Sequence, residues 1–229
     1  MLKKILSEMG FTPTDLQIEK FSVYSEVLIS YNEKVNLTAI TDPEEINIKH
    51  FADSLELLKR CEIPLNATVA DIGTGAGFPG IPILNMRQDI RLTLIEGNNK
   101  RVEFLKFLRE ELSLSYEIIQ MRAEDIKNNP DLRESFDIVT ARAVAALPAL
   151  TEYCLPYVKV GGCFCPLKGG NEEFSAARNT VTKCGGELTE IISYNLCNGD
   201  ARKIFKIKKI KPTPLCYPRE NAAIKKKPL

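Results

Sequence analysis

The sequence predicts an α/β fold built on a doubly wound, mostly parallel sheet of seven strands. From residue 66 onward, short apolar runs alternate with helical patterns, and strands separated by helices form parallel crossovers. Closer to the C-terminus, two β-rich runs are joined by Asn198-Gly199-Asp200, which is the turn chemistry of an antiparallel hairpin. The predicted sheet therefore has five parallel strands and a terminal antiparallel hairpin.

Residues 1–65 are predicted to form a helical extension. Thr12-Pro13-Thr14-Asp15 is a helix start, with a capping Thr and with Pro in the first turn. Apolar side chains then recur at helical spacing, namely Leu16, Phe21, Tyr24, Leu28 and Tyr31. A second helix begins at Asp42-Pro43 and carries His50, the only histidine of the chain. A lone helical histidine is most often a packed or capping group.

The remaining elements follow in chain order. The parallel strands are predicted at 67–72, 91–96, 117–121, 136–140 and 162–167. Helices are predicted at 98–112, 147–158 and 172–183, and the hairpin strands at 187–195 and 202–210. We expect residues 66–210 to be the main domain and residues 211–229 to be an irregular basic tail, with all three parts in one compact unit.

Composition limits the classes of protein to which the chain can belong. Its 229 residues are 44% hydrophobic, which suits a packed core and argues against disorder. No apolar run is long enough for a membrane span, and Glu8 comes too early for a secretory signal. Seven cysteines without a C-x-x-C pair indicate reduced thiols and no zinc site. We therefore expect a cytoplasmic, metal-free protein, most simply a monomer.

A glycine-rich turn follows the first strand, with the sequence Asp71-Ile72-Gly73-Thr74-Gly75-Ala76-Gly77-Phe78-Pro79-Gly80. Ligands of doubly wound sheets bind at the carboxyl ends of strands, and glycines let the backbone approach them closely. Asp71 would repel a pyrophosphate, and Pro79 removes an N–H that a phosphate would use. These features disfavour a dinucleotide and favour a cationic ligand such as S-adenosyl-L-methionine.

Other candidate residues end the neighbouring strands. Glu96 ends the second strand, where an acid bonds ribose hydroxyls. Ala123 and Glu124 follow the third strand, where an adenine ring would lie, and Arg142 follows the fourth, with a donor fork for phosphate or a purine edge. The structural alternatives are a plain glycine turn, a helix-start acid and a salt bridge. Cys165 is an unfavoured candidate for a pyrimidine-methylating nucleophile, since most strand cysteines only pack.

The chain resembles a known family over nearly its whole length. The matching positions are 36–40, His50 with 53–55, 71–82, Glu96, 100–101, 104–105, 122–124, 142–145, 167–169, 217–219 and 227–229. The Gly-Phe-Pro-Gly-Ile-Pro run at 77–82 is the most specific of them. With these residues the chain resembles the RsmG (glucose-inhibited division protein B) family of bacterial small-subunit ribosomal RNA guanine-N7 methyltransferases.

The resemblance implies a Rossmann-like class I methyltransferase with an N-terminal helical extension and S-adenosyl-L-methionine as donor. It implies cofactor contacts at Gly73, Phe78, Ala123, Glu124 and Arg142, to which the motif adds Asp71, Gly75 and Glu96. The expected partner is 16S ribosomal RNA or the small ribosomal subunit. We expect Arg142 to border the RNA and the cofactor as the catalytic residue, and Lys168 and Arg219 to face the RNA. The chain departs from the family pattern at Tyr31, Gly97, Ala222 and Ile224.

Other functions share parts of this pattern. A methyltransferase of another RNA, of a protein or of a small molecule would use the same cofactor motif. A nicotinamide oxidoreductase would use the glycine turn, and a non-catalytic module would keep the fold and bind RNA.

The net charge of +1 conceals an uneven distribution. Residues 200–229 contain ten basic and two acidic side chains, a net charge of +8, which leaves −7 for the rest of the chain. Basic ends often only solubilise a protein. Here we expect the tail to contact RNA phosphates.

Overall fold

The computed structural model describes all 229 residues, and it confirms the predicted fold class. The strands are β1 (Thr68–Ile72), β2 (Arg91–Glu96), β3 (Glu117–Gln120), β4 (Phe136–Arg142), β5 (Val158–Gly169), β6 (Gly186–Asn195) and β7 (Ala201–Lys209). They form one sheet in the order β3-β2-β1-β4-β5-β7-β6. Strands β1 to β5 are parallel to one another, and β7 is antiparallel to both β5 and β6.

Nine α-helices surround the sheet. They are α1 (Leu2–Glu8), α2 (Asp15–Asn32), α3 (Pro43–Glu45), α4 (Asp53–Arg60), α5 (Gly80–Met86), α6 (Asn99–Leu112), α7 (Leu147–Cys154), α8 (Arg178–Lys183) and α9 (Asn221–Lys226). A π-helical segment, Ile46–Ala52, joins α3 to α4 without a break. Such segments often lie near functional sites, and this one carries His50. None of the helices is long and apolar enough to cross a membrane.

Three sequence predictions need correction. Thr14 is the N-cap of α2 and forms a capping box with Gln17, so Pro13 precedes the helix and does not lie in its first turn. The helix predicted at 172–183 is a single 3₁₀ turn, Ser175–Ala177, followed by α8. The tail is not wholly irregular, because it contains α9.

The two faces of the sheet carry two separate cores. Along β1, Val69 packs with the N-terminal helices, α5 and α6, whereas Ala70 packs with α7 and the C-terminal segment. This alternation is the two-residue period of a strand covered on both sides. Phe21 from α2 and Leu94 from β2 belong to the same cluster. The N-terminal helices are thus packed directly on the sheet.

Candidate functional site

Three neighbouring cavities lie at the edge where the parallel strands end. The first, of about 290 Å³, is lined by residues that include Gly73, Glu96, Ala123 and Glu124. The second, of about 200 Å³, shares Gly73 and Ala143 with the first and adds the predicted residues Gly75, Phe78 and Arg142. Because they share a wall, we treat the first two as one cleft. The combined size is in the range of small-molecule sites, about 300–1,000 Å³.

The glycine turn is held open by backbone and carboxylate contacts. Gly73 N–H donates to the Ile95 carbonyl at 2.8 Å, and Gly75 N–H donates to Glu96 Oε2 at 2.9 Å. Gly73 and Gly75 both have positive φ, +66° and +62°, a conformation that glycine adopts without the cost of a Cβ. The turn therefore presents bare backbone to the cleft between β1 and β2.

Replacing Gly77 by Ala is expected to destabilise the protein more than the same replacement at Gly10. Both glycines have left-handed backbone, with φ of +98° and +92°, where a Cβ costs about 1–2 kcal/mol. A Cβ on Gly77 would also lie 2.5 Å from Ile81 Cδ1 and 2.7 Å from the Tyr24 hydroxyl, whereas nothing lies within 4 Å at Gly10. We expect an additional loss of about 1–3 kcal/mol in urea unfolding. Equal losses at the two positions would contradict this packing.

Asp71 does not face the cleft, contrary to the prediction that it binds the cofactor directly. Its side chain is fully buried, and Oδ2 accepts hydrogen bonds from the Thr74 hydroxyl at 2.7 Å and from Gly80 N–H at 2.9 Å. Burial raises the pKa of this carboxyl to about 6. Asp71 therefore fixes both ends of the glycine turn from beneath.

Glu96 lies in the wall of the cleft with its carboxylate already oriented. Oε2 accepts from Gly75 N–H, and Oε1 accepts from Asn98 N–H at 2.8 Å. Arg101 Nη1 lies 3.8 Å from Oε2. A carboxylate offers about four acceptor sites, so Glu96 retains acceptor capacity for a pair of hydroxyl groups.

Ala123 and Glu124 form the far end of the cleft. They begin a 3₁₀ turn, Ala123–Asn128, and the first N–H groups of a helical turn lack partners within it. The Tyr157 hydroxyl donates to the Ala123 carbonyl at 2.9 Å and fixes the loop. Both residues line the first cavity, as the sequence predicts for an adenine end.

Arg142 lies at the boundary between the cleft and the third cavity. Nη1 donates to the Lys49 carbonyl at 2.9 Å and to Asp53 Oδ2 at 3.0 Å. Nη2 lies 3.0 Å from His50 Nδ1, and the guanidinium lies over the Phe78 ring at 4.9 Å. Of its five N–H donors, two have no acceptor in the protein.

His50 is packed, as predicted, and it orients Arg142. Its ring stacks on Phe78 with centroids 4.4 Å apart, and Nε2 lies 2.9 Å from the Thr38 hydroxyl oxygen. Burial, together with the Arg142 charge, lowers the pKa of His50 from 6.5 to about 3. A neutral ring with its proton on Nε2 fits both contacts, because Nδ1 then accepts from Arg142.

The contribution of His50 to the free energy of unfolding is expected to fall as the pH is lowered from about 6.5 toward 3. In that window the unfolded chain binds a proton at His50, whose ordinary pKa is 6.5, and the folded protein does not. Asp71, whose pKa burial raises to about 6, acts in the opposite direction below that pH. Urea unfolding between pH 4.5 and 7.5, compared with His50→Gln, which lacks the titrating group, isolates the His50 contribution, and the wild type is expected to lose more stability than the variant as the pH falls. The same slope in both proteins would contradict a neutral buried His50.

The third cavity, also of about 290 Å³, is strongly basic. Its lining includes Lys49, Arg142, Lys168 and Arg202, with Asp53 and His50 beneath them. Lys168 lines this cavity but is not a free surface charge, and its contact with RNA stays a prediction. Its side chain is 9% exposed, and Nζ donates to the Ala145 carbonyl at 2.7 Å and pairs with Glu172 at 3.1 Å.

Arg219, for which RNA contact also stays a prediction, is bonded to a buried acid. Its Nε and Nη2 donate to Glu152 at 2.8 and 2.7 Å, and the Glu152 side chain is fully buried. Lys209, counted among the basic tail charges, is buried with Glu134 and Thr213. Part of the C-terminal positive charge therefore ties the segment to the body and is unavailable to a polyanion.

Sequence reasoning did not identify several residues of the site. Lys49 and Arg202 line the basic cavity, and Tyr153, Asn221 and Lys225 line the cleft. The basic character of residues 200–229 was the one sequence signal that included Arg202 and Lys225. Apart from Asn221, the other residues of the cleft and of the basic cavity lie far from Arg202 and Lys225 in the sequence, so motif spacing could not identify either residue.

Solved structures with the same fold include methyltransferases. A methyltransferase dependent on S-adenosylmethionine from Aquifex aeolicus matches 78% of this chain and 97% of its own, with a TM-score of 0.56 and 15% identity. A precorrin-6y C5,15-methyltransferase from Geobacter metallireducens matches 74% of this chain and 90% of its own, with a TM-score of 0.53 and 16% identity. These matches show that the chain has a Rossmann-like α/β fold of the kind found in methyltransferases.

Sequence comparison identifies the family. The model for the GidB family, rRNA small subunit methyltransferase G, matches residues 17–204. Proteins with that name from Clostridium botulinum (strain Eklund 17B) and Acetivibrio thermocellus are 44% and 43% identical to the chain, covering all of it and 98% and 97% of their own lengths. The chain belongs to this family. It is therefore an enzyme that uses S-adenosyl-L-methionine as its methyl donor.

The cleft fits this donor. Gly73 lines the cleft, with the Val144 side chain against the place where a Cβ would lie, and the Glu96 carboxylate has spare acceptor sites for a ribose. Asp71 Oδ1 is buried beneath the turn without a hydrogen-bond partner and does not line the cleft. Groups of three or more metal-binding side chains are absent.

Proposed function

We propose that the protein methylates N7 of a guanine in 16S ribosomal RNA. The donor site is the cleft beside Gly73 and Glu96, and the guanine site is the basic cavity that contains Lys49 and Arg202. The observation that carries the proposal is the shared wall, since Arg142 and Ala143 line both the cleft and this cavity. A methyl group held in the cleft near this wall would be within reach of a base held in the basic cavity.

The charge of the third cavity supports a nucleic-acid substrate. Lys49, Arg142 and Arg202 bring three cations to one pocket, and Asp53, Glu45 and Asp200 neutralise part of that charge. Phosphate groups supply most of the affinity in protein–nucleic acid contacts. A small apolar metabolite would not use this charge.

Chemistry at N7 agrees with the groups that are present. N7 carries an in-plane lone pair and no proton, so its methylation needs no general base. His50 is held neutral with Nδ1 engaged by Arg142, so it is unavailable as a base in this position. S-adenosylmethionine supplies the electrophilic methyl group, and the chain supplies proximity and alignment, which are worth roughly 7–11 kcal/mol.

Arg142 has a positioning and electrostatic role in this proposal. Its two unpaired donors suit a phosphate or guanine O6, whereas a bond to N7 itself would occupy the reacting lone pair. The guanidinium is held by Asp53 and His50. Such preorganised donors cost little reorganisation during reaction.

The substrate class is tested with tritiated S-adenosylmethionine. Unmethylated small subunits, naked 16S RNA, transfer RNA and a protein mixture are offered separately to the enzyme, which we expect to act as a monomer. Label is expected in 16S RNA, free or within the subunit. Label only in protein, in transfer RNA or in no macromolecule would contradict the proposal, and the last result would favour a small-molecule substrate or a non-catalytic RNA-binding module.

A further inference from the structure

The C-terminal segment, residues 219–226, forms part of the wall of the cofactor cleft. Asn221 and Lys225 line the first cavity together with Ala123 and Glu124. They come more than ninety positions later in the chain, from a region that the glycine motif does not include. The segment therefore closes the same end of the cleft as the loop after β3.

Several contacts fix this segment to the body. Ile224 is fully buried in the core that contains α7. Arg219 makes its paired hydrogen bonds to the buried Glu152, and Glu220 forms an ion pair with Lys127. Contacts on both sides of Asn221 thus hold its backbone in place, and a frayed end would not be held in this way.

The amide oxygen of Asn221 is bonded within the protein, and its amide nitrogen is not. The Tyr153 hydroxyl donates to Asn221 Oδ1 at 2.8 Å, and Tyr153 also lines the cavity. Because the carbonyl oxygen of the amide is engaged, its Nδ2 group remains as a donor. No acceptor in the protein bonds to Nδ2, whereas the ring nitrogens of a purine are acceptors.

We propose that α9 is a cofactor-binding element, in which the Asn221 amide donates a hydrogen bond to the adenine of S-adenosylmethionine. Arg219 is a positioning residue, which acts through Glu152 to hold α9 against α7. The inference rests on the proposed function in taking S-adenosylmethionine as the occupant of the cleft. It assigns the C-terminal segment to the donor and separates it from the RNA-binding role that its charge suggests.

Binding of S-adenosylhomocysteine and of 5′-methylthioadenosine by calorimetry tests the inference. We expect Asn221→Ala to weaken both ligands about tenfold, the effect of one hydrogen bond. Asn221→Asp is expected to be equally weak, because it keeps the acceptor for Tyr153 and loses the donor. Lys226→Ala is the matched control, since Lys226 is exposed on α9 outside the cavity, and its affinities are expected to equal those of the wild type.

The outcomes separate this inference from the function on which it rests. Wild-type affinity in Asn221→Asp would mean that Asn221 only accepts the Tyr153 hydroxyl, and it would overturn the inference. A loss for S-adenosylhomocysteine alone would place the contact at the amino-acid end and would also overturn it. If the wild type binds neither ligand, the cleft is not a donor site, and the inference and the proposed function fail together.

Steady-state kinetics of Arg219→Ala distinguish a positioning role of Arg219 from a role in stability alone. Arg219→Ala is expected to raise the KM for S-adenosylmethionine several-fold with little change in kcat at saturation, since the donor site loosens and the reacting groups stay in place. A several-fold lower kcat at saturating S-adenosylmethionine, with an unchanged KM, would contradict a positioning role for Arg219.

Discussion

Replacing Arg142 by Ala is expected to reduce kcat by about 100-fold or more, the scale of losing one preorganised donor in an active site. The guanidinium is bonded to Asp53, to the Lys49 carbonyl and to His50, and it lies at the wall between the two ligand sites. Steady-state methylation of 16S RNA at saturating donor measures the loss. The planar guanidinium bonds to several acceptors at once, and a lysine ammonium does not reproduce that arrangement. Arg142→Lys is therefore expected to restore little of the lost kcat.

Arg142→Ala is also expected to lower the free energy of unfolding, so its effect on stability has to be separated from its effect on kcat. Asp53 is 3% exposed, and without Arg142 it keeps the hydrogen bond from the Tyr194 hydroxyl and Arg202 at 3.8 Å. The loss of stability is therefore expected to lie below the roughly 3–5 kcal/mol of a buried charge left without a partner. The double variant Arg142→Ala, Asp53→Asn removes the carboxylate charge as well and is expected to recover part of the stability but none of the activity. Recovery of activity together with stability would contradict a role of Arg142 in the reaction.

A matched control exists elsewhere in the chain. Arg60 pairs with Glu56 at 2.5 Å, with side chains 26% and 7% exposed, and lies outside the cleft and the basic cavity. Arg60→Ala is expected to lower the free energy of unfolding and to leave kcat unchanged. This control shows whether loss of a comparable ion pair, by itself, reduces turnover.

The second large effect is expected at the donor site. Glu96→Ala is expected to weaken the binding of S-adenosylhomocysteine by about 10- to 100-fold, since a hydrogen bond to a charged group is worth about 1.5–3 kcal/mol. The substitution also removes the acceptor that orients Gly75 N–H and Asn98 N–H. Calorimetry on the purified protein measures the affinity directly.

The control for Glu96 is an acid that lies outside the cleft. Glu103 is half exposed on α6 and pairs only with Lys106, so Glu103→Ala is expected to bind the ligand as the wild type does. An unchanged affinity in Glu96→Ala would remove Glu96 from the ribose contact and would leave it only the task of holding the glycine turn.

The positions of the strands along the chain and the cofactor edge of the sheet were predictable because their signals are local. The glycines of the turn and Glu96 are adjacent to apolar strand runs, and parallel strands bring their carboxyl ends to one edge. In the structure, Gly73, Glu96, Ala123 and Glu124 line one cavity at that edge. Whether each of them contacts the donor stays a prediction for the binding experiments.

The sequence was least informative about which group each charged side chain contacts. Lys168 and Arg219 have free charges in the sequence, but Glu172 and Glu152 engage them in the folded chain. Asp71 seemed suited to a cationic ligand, but Thr74 and Gly80 hold it beneath the turn. A lone sequence gives the charge of a residue and not its partner, so these assignments required the tertiary structure.

The position of the transferred methyl group tests the account most directly. Tritium-labelled 16S RNA from the enzymatic reaction is digested to nucleosides, which are separated by chromatography and identified by mass. The account predicts a single labelled nucleoside, 7-methylguanosine, since N7 needs no general base and His50 is engaged by Arg142. Label in a nucleoside methylated on an exocyclic amine, on a ribose or on pyrimidine C5 would contradict it.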